Sequence, residues 1–353
     1  MREEEFFAEV RRLGQLGSRA EAGPAPAGRW DLANKRYNIG GLTRSLSGHS
    51  TGMGLTDLLT DRIERATALD RPAGAARDLV QRAVPSRWWR DLLHGLWLGH
   101  PLHPTLAQLA LGSLVSASLI DAAGGSRRES SRLITVGLLA ASPTAAAGWV
   151  DYSDGHEEQQ RVGLVHAATN IAALSCYAGA LLCRRSGQKG GRLLSVAGGV
   201  LGGLGAALGG HLSFRQASGA NHAAEVPHVG PADWRRVGVL AELPVGTPVR
   251  RMIGDVPAFV LRHDPNDPID GAPAVTVLSD RCPHLSGPLH EGQLSLLNGQ
   301  LCITCPWHAS VFKVGDGTVV HGPATAAVPR FETQVDNGVL HARVVTLPGV
   351  EAS

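Results

Sequence analysis

Cysteine is scarce. The 353 residues contain five: Cys176, Cys183, Cys282, Cys302 and Cys305. An odd number without a repeated spacing excludes a disulfide framework. Lysine is nearly missing, with only Lys35, Lys189 and Lys313, so arginine carries the positive charge. The net charge is +2, which removes any bulk polycation argument and leaves nucleic acid out of the expected partners. The opening residues, MREEEFFAEVRRLG, contain no apolar h-region, so no cleavable signal peptide is expected. Long apolar runs are missing from both ends of the chain and are concentrated between about 99 and 213.

Residues 1–98 are polar, arginine-rich and broken by GPAPAG at 23–28. LTDLLTDRIERATALD (55–70), then DLVQRAV and RWWRDLLHGLW (78–97) around Pro85, place apolar residues at helical spacing. Short amphipathic helices on flexible connectors are expected there. Trp88 and Trp89, between Arg87 and Arg90, fit a membrane surface as well as they fit a packed helix.

Four apolar stretches follow: Leu106–Ala123, Leu133–Val150, Val162–Cys183 and Leu193–Leu212. Each runs 18 to 22 residues, enough to cross ~30 Å of hydrocarbon at ~1.5 Å per residue. Charges are confined to the joints, and glycine and alanine are dense, as in VAGGVLGGLGAALGG (196–210), which lets helices approach closely in lipid. A four-helix membrane domain over 99–214 is expected, against the alternative of a soluble alanine-rich bundle. The first joint holds Arg127, Arg128 and Arg132, and the third holds Arg184, Arg185, Lys189 and Arg192. The middle joint holds Asp151, Asp154, Glu157 and Glu158. The positive-inside rule puts the basic joints in the cytoplasm and everything after the fourth span on the outer face. That orientation conflicts with a long arginine-rich N-terminal tail lacking an export signal; RRSGQK (184–189) has the RRxxxK spacing of a twin-arginine signal.

A polar linker, 215–233, leads to a region read as short strands over 234–346, with a tail at 347–353: RRVGVLAEL, TPVRRMI, AFVLRHD, AVTVLS, QLCITC, SVFKV and RFETQVDNGVLHARVV. Turns such as DPNDPIDGAP and DNG separate them, so this part is expected to be a compact all-β domain. The whole chain thus reads as an α+β multidomain protein, a four-helix transmembrane bundle followed by an all-β domain. Within the β region stand Cys282-Pro283-His284 and Cys305-Pro306-Trp307-His308. Two thiolates and two imidazoles on two loops suit a [2Fe–2S] cluster in which thiolates bind one iron and imidazoles the other. A tetrahedral zinc site uses the same residue types. Zinc fingers, however, normally pair like with like, whereas each loop here carries one Cys and one His.

The residues from about Trp234 to Val345 resemble the Rieske iron–sulfur family. Beyond the four ligand positions, Gly287-Pro288-Leu289 and Glu291-Gly292 match the end of its first motif, and Phe312 and Gly315 the end of its second. Gly322-Pro323-Ala324 is similar to its proline loop, and Phe331 to Val344 to its closing hairpin. The resemblance implies that Cys282 and Cys305 hold the inner iron and His284 and His308 the outer, with Ser310, Phe312 and Pro323 around the cluster. Ser286 and Ala309 stand where that family usually has glycine. The inter-loop disulfide of the cytochrome bc branch has no cysteines here, which aligns the loops with the ferredoxin and oxygenase branches. Ser310 sits where the bc branch has a serine that bonds a bridging sulfide; Phe312 replaces a tyrosine and has no donor. Fewer donors imply a potential between the two branches, within the ~ −150 to +300 mV of His-ligated clusters.

LGHPLHPTL (98–106) resembles an uncharacterised family of four-helix bacterial membrane domains marked by HPxHP; His166, Asn170 and His211 belong to the match. Alternating spans bring His100, His103, His166 and His211 toward the face from which the β domain emerges, joined by Asp151 and His156. Such histidines either cap helices and bond carbonyls or serve a haem b or a quinone. The resemblance implies a membrane-anchored electron-transfer protein whose partner is a redox protein or a quinone. A quinol-oxidising membrane oxidoreductase and a redox or iron sensor are the alternatives. A Rieske oxygenase is not expected, since only nine residues follow the last strand and no mononuclear iron triad follows the cluster motif.

Overall fold

The computed structural model describes residues 55–265 and 274–345. The GPAPAG break, the centre of the DPNDPIDGAP turn and the tail from 347 lie outside them.

Three short helices come first: α1 (Leu55–Glu64), α2 (Asp70–Ala83) and α3 (Arg87–His94). Pro85 and the extended Ser86 separate α2 from α3, because a residue before proline avoids the helical region. Gly95 then turns the chain with φ 86°, ending α3 in a left-handed cap.

Four long helices follow: α4 (Leu102–Ala122), α5 (Arg127–Ser153), α6 (Glu157–Arg185) and α7 (Gly191–Phe214). All four are long and apolar enough to cross a membrane. Each is longer than its apolar stretch because the flanking residues continue the helix rather than stop it. Ser126 caps α5 by accepting from Glu129 N, and His156 caps α6 while Gln159 reaches back to the His156 N–H. The bundle puts mostly small residues at its helix contacts and many large ones outside, around a small buried cluster of Leu114, Ile134 and Tyr177. Ala117, Ala147, Ala180 and Gly198 are buried, whereas Leu109, Leu119, Leu139, Ile171 and Leu193 are exposed. A side chain at Gly137 would meet Leu114 Cγ at 2.5 Å, so the backbones approach as glycine allows in lipid. At the end away from the β domain, buried Asp121 takes Arg184 and, at 2.6 Å, the Ser130 hydroxyl. Tyr177 and Ser118 hydroxyls bond at 2.8 Å inside.

The stretch read as a linker is not free chain. It carries the one-turn helix α8 (Val226–Val229), and Ala223 and Val226 are buried in the core of the β domain. That domain contains three antiparallel sheets. β1 (Arg235–Val239), β10 (Val339–Val344) and β9 (Phe331–Asp336) form one. The second is β2 (Val249–Ile253), β3 (Val256–Arg262) and β4 (Val275–Ser279). The third is β5 (Gln293–Leu297), β6 (Gln300–Thr304), β7 (Val311–Lys313) and β8 (Val319–His321). Strands β5 and β8 were not expected. Asn298-Gly299 and Asn337-Gly338 close the β5–β6 and β9–β10 hairpins, all four at positive φ, as a two-residue hairpin turn matching strand twist requires. One core lies beneath the first two sheets. A second, with Phe259, Leu278, Leu289, Ile303 and Phe312, encloses Cys282 and Cys305.

Candidate metal centre

Two loops of matching construction carry the four predicted ligands. The first leaves β4, the second β6. In each, the residue four places after the cysteine returns its N–H to the cysteine carbonyl: Ser286 to Cys282 at 2.9 Å, Ala309 to Cys305 at 3.2 Å. Each cysteine N–H is taken by a later carbonyl of its own loop, Gly287 or Ser310. The return forces a left-handed residue, and Ser286 (φ 63°) and Ala309 (φ 58°) adopt it. These are the two positions where glycine was expected; the loop shape is kept at a cost of about 1–2 kcal/mol each.

The sulfurs are inside and the imidazoles outside. Cys282 is 1% exposed and Cys305 3%, both as free thiols, while His284 and His308 are half-buried with ring centroids 4.9 Å apart. A hydrogen bond with Cys305, then burial, pushes the Cys282 thiol well up, and the same bond pulls Cys305 down. Ligation would take the proton from each thiol. Burial, then neighbouring His308, brings His284 down to about 3; burial also lowers His308. Both imidazoles are neutral at pH 7, which is the ligating form. A side chain at Gly287 would sit 2.7 Å from Cys305 Sγ, so only glycine leaves room beside the sulfur. Among the described residues no three His, Cys, Asp or Glu side chains gather about one point; the quartet is two pairs. Paired donors of unlike kind, sulfur within and nitrogen at the rim, fit a [2Fe–2S] cluster.

Ser310 is fully buried, and its hydroxyl oxygen accepts the Ala324 N–H at 3.0 Å, pinning the proline loop. Phe312 fills the core behind the cysteines, and Pro323 lines a cavity of about 50 Å³ beside His284. His94, Asp151, Gln159 and Asn221 also line it. Cys302 is buried in β6.

The bundle histidines do not gather as one group. His103 and His166 face each other, ring centroids 6.5 Å apart, with Nδ1 2.8 Å from the Thr144 and Gly205 carbonyl oxygens respectively. His211 pairs with Glu64 at 2.5 Å, and His100 lies exposed with Nδ1 3.2 Å from the Pro101 carbonyl oxygen.

Several residues stand beside the centre that the sequence had not linked to it; His156 and Asp151 had been named only with the bundle histidines. The His156 ring lies 5.6 Å from His308 and 5.5 Å from Trp307. Arg87 donates to the Ala309 carbonyl at 2.7 Å, and Asp91 accepts the Gly322 N–H and lies 2.8 Å from His321 Nδ1. Arg90 binds Asp154 at 2.7 Å; His94, 2% exposed, lies between Asp151 (2.8 Å) and Asp154 (3.2 Å). Burial draws His94 down, but the two carboxylates more than reverse this and raise it to about 9. Burial favours the neutral Asp154 acid, yet His94 and Arg90 hold its carboxyl below the usual value. The only local hint was the charge pattern of 87–94; its partners lie far along the chain.

Residues 233–332 match the model of the Rieske [2Fe-2S] domain, and residues 99–222 that of a predicted membrane protein family, DUF2231. The chain carries a Rieske [2Fe–2S] domain behind a DUF2231 membrane domain. Among solved structures it is similar to the ferredoxin of carbazole 1,9a-dioxygenase from Nocardioides aromaticivorans IC177, at 24% identity over 32% of this chain and 98% of that one, TM-score 0.26. It is also similar to Sphingomonas yanoikuyae B1 ferredoxin, at 20% identity over 31% and 98%, TM-score 0.26. A third is the E. coli protein NirD, at 21% identity over 31% and 96%, TM-score 0.27. The Rieske domain binds a [2Fe–2S] cluster and gives the chain an iron–sulfur electron-transfer role; the four apolar helices and the DUF2231 match make it a multi-pass membrane protein.

Proposed function

We propose that Cys282 and Cys305 hold the inner iron of the cluster and His284 and His308 the outer, and that the chain is a membrane-anchored one-electron carrier. The observation behind this reading is the pair of like-shaped loops that set two buried thiols behind two neutral imidazoles. Bound there, the cluster supplies one-electron chemistry at a potential raised by its nitrogen ligands. The chain's own residues do the rest. Cys282 and Cys305 keep their sulfurs out of water within the core of Phe259, Leu289 and Phe312. Ser310 pins the proline loop, whose Pro323 stands beside His284, and Phe312 offers no hydrogen bond to sulfur, which favours a potential below that of the bc branch.

The electron partner is a redox protein or a quinone. The acidic α5–α6 joint lies at the Rieske end of the bundle and the basic joints at the other, so the positive-inside rule favours the outer face for the Rieske domain. Thiol labelling of a cysteine engineered at 215–233 in whole cells tests the side: labelling by an impermeant reagent is the expected result.

A quinol-oxidising oxidoreductase is the second reading, favoured by the facing rings of His103 and His166. Both rings have a backbone carbonyl at Nδ1, which equally suits helix-packing histidines. Spectra of the detergent-purified protein separate the two. The electron-carrier reading expects Rieske absorbance alone; a haem Soret band that disappears in His166→Ala would favour the second.

A further inference from the structure

Helix α3 is inside out. Arg87, Arg90, Asp91 and His94 stand at i, i+3, i+4 and i+7, one face of the helix, and this charged face is turned into the protein. It grips Ala309 and Gly322 of the Rieske domain and Asp151 and Asp154 of the bundle joint. The aromatic residues face out: on α3 Trp88 is 63% exposed and Trp89 53%, and in the turn after Gly95 Trp97 is 64% exposed. Trp88 and Trp89 stack edge-on at 4.6 Å, and Trp97 Nε1 donates back to the Leu92 carbonyl. In water this inversion would leave three indoles without cover.

The position of α3 says what covers them. The helix abuts the first membrane span: a side chain at Gly95 would lie 2.4 Å from the His100 carbonyl oxygen and 2.8 Å from Leu102 N, and Leu102 begins α4. The exposed face is therefore continuous with the rim of a bundle whose own outer surface is leucine-rich. Indole rings, apolar with one N–H donor, partition to the headgroup layer.

We propose that α3 and the turn after it lie in the headgroup layer of the bilayer, with Trp88, Trp89 and Trp97 as their lipid contacts, and that the opposite face of α3 thereby fixes the cluster loops against the membrane surface. The partner is the lipid interface itself. The inference rests on the bundle spanning the membrane, not on the ligand assignment, so either can fail alone.

The full-length protein is reconstituted into phosphatidylcholine vesicles whose acyl chains are brominated close to the headgroup, and tryptophan fluorescence is read. Trp88→Phe/Trp89→Phe/Trp97→Phe is expected to lose about half of the lipid-dependent quenching, with quenching by aqueous iodide unchanged. Equal lipid quenching in wild type and variant would overturn the proposal. So would a fall in iodide quenching, which would mean that the rings face water. Indoles shielded from both quenchers until the protein is diluted would point to a second copy and also overturn it. The positioning half is read separately, from electron resonance of oriented membrane multilayers. The wild-type signal should depend on the angle to the membrane normal, and Trp88→Ser/Trp89→Ser/Trp97→Ser should lose that dependence. An angular dependence unaltered by the substitutions would contradict it.

Discussion

The bundle and the Rieske domain solve opposite solvent problems with the same chain. In the Rieske domain the large residues are inside: Phe259, Leu278, Ile303 and Phe312 are each at most 1% exposed. In the bundle many of them are outside, with Leu139 71% and Leu193 74% exposed, and the interior is mostly alanine, glycine and hydroxyls around a small cluster of Leu114, Ile134 and Tyr177. One region is held by apolar volume removed from water. The other, with no hydrophobic drive between helices in lipid, is held by close backbone approach and polar bonds such as Ser118 to Tyr177. The lesson is that the two regions should fail under opposite substitutions.

The largest expected effect is loss of volume in the β domain. Phe259→Ala should destabilise it by about 3–5 kcal/mol, read as a lower denaturation midpoint followed by the cluster's visible absorbance. Gain of volume should be the corresponding injury to the bundle. Gly137→Leu, which must displace Leu114, should cost about 1–3 kcal/mol and lower the bundle's melting temperature in detergent; a bundle indifferent to it would break the comparison.

The seam between the regions should respond to pH rather than to volume. His94 is raised to about 9, so its contribution is present below its unfolded value near 6.5 and is lost as pH rises through about 9. Asp154 is depressed, so its contribution is present above the ordinary carboxylate value and fades as pH falls below it. Melting temperature should therefore decline at both extremes, and His94→Gln should flatten the alkaline limb and weaken the acid limb, because His94 also holds the Asp154 carboxyl down. The smallest effect is a gain: Ser286→Gly or Ala309→Gly should relieve the left-handed residue and stabilise the holo-protein by about 1 kcal/mol, measured in the same melts.

The two Cys–His pairs proposed as ligands were legible because each is local, a cysteine and a histidine two or three residues apart in one loop. The four spans were legible because length and apolarity are summed over about 20 residues. Strand β8 is too short to show a period, and β5, QLSLL, lacks the polar–apolar contrast of a half-buried strand. The residues around the outer histidines were hidden for a different reason. Arg87 meets Ala309 across 222 residues and Asp91 meets Gly322 across 231, and no local pattern encodes such a pairing. At the two departures from glycine the left-handed backbone is carried by Ser286 and Ala309 under strain.

The ligand assignment is tested most directly by electron resonance and metal analysis of the anaerobically purified full chain, wild type beside Cys282→Ser and His308→Ala. The account predicts a Rieske signal with about two irons and two acid-labile sulfides per chain, abolished in both variants while the bundle remains folded in detergent. Zinc in place of iron, or a signal that persists in either variant, would contradict it.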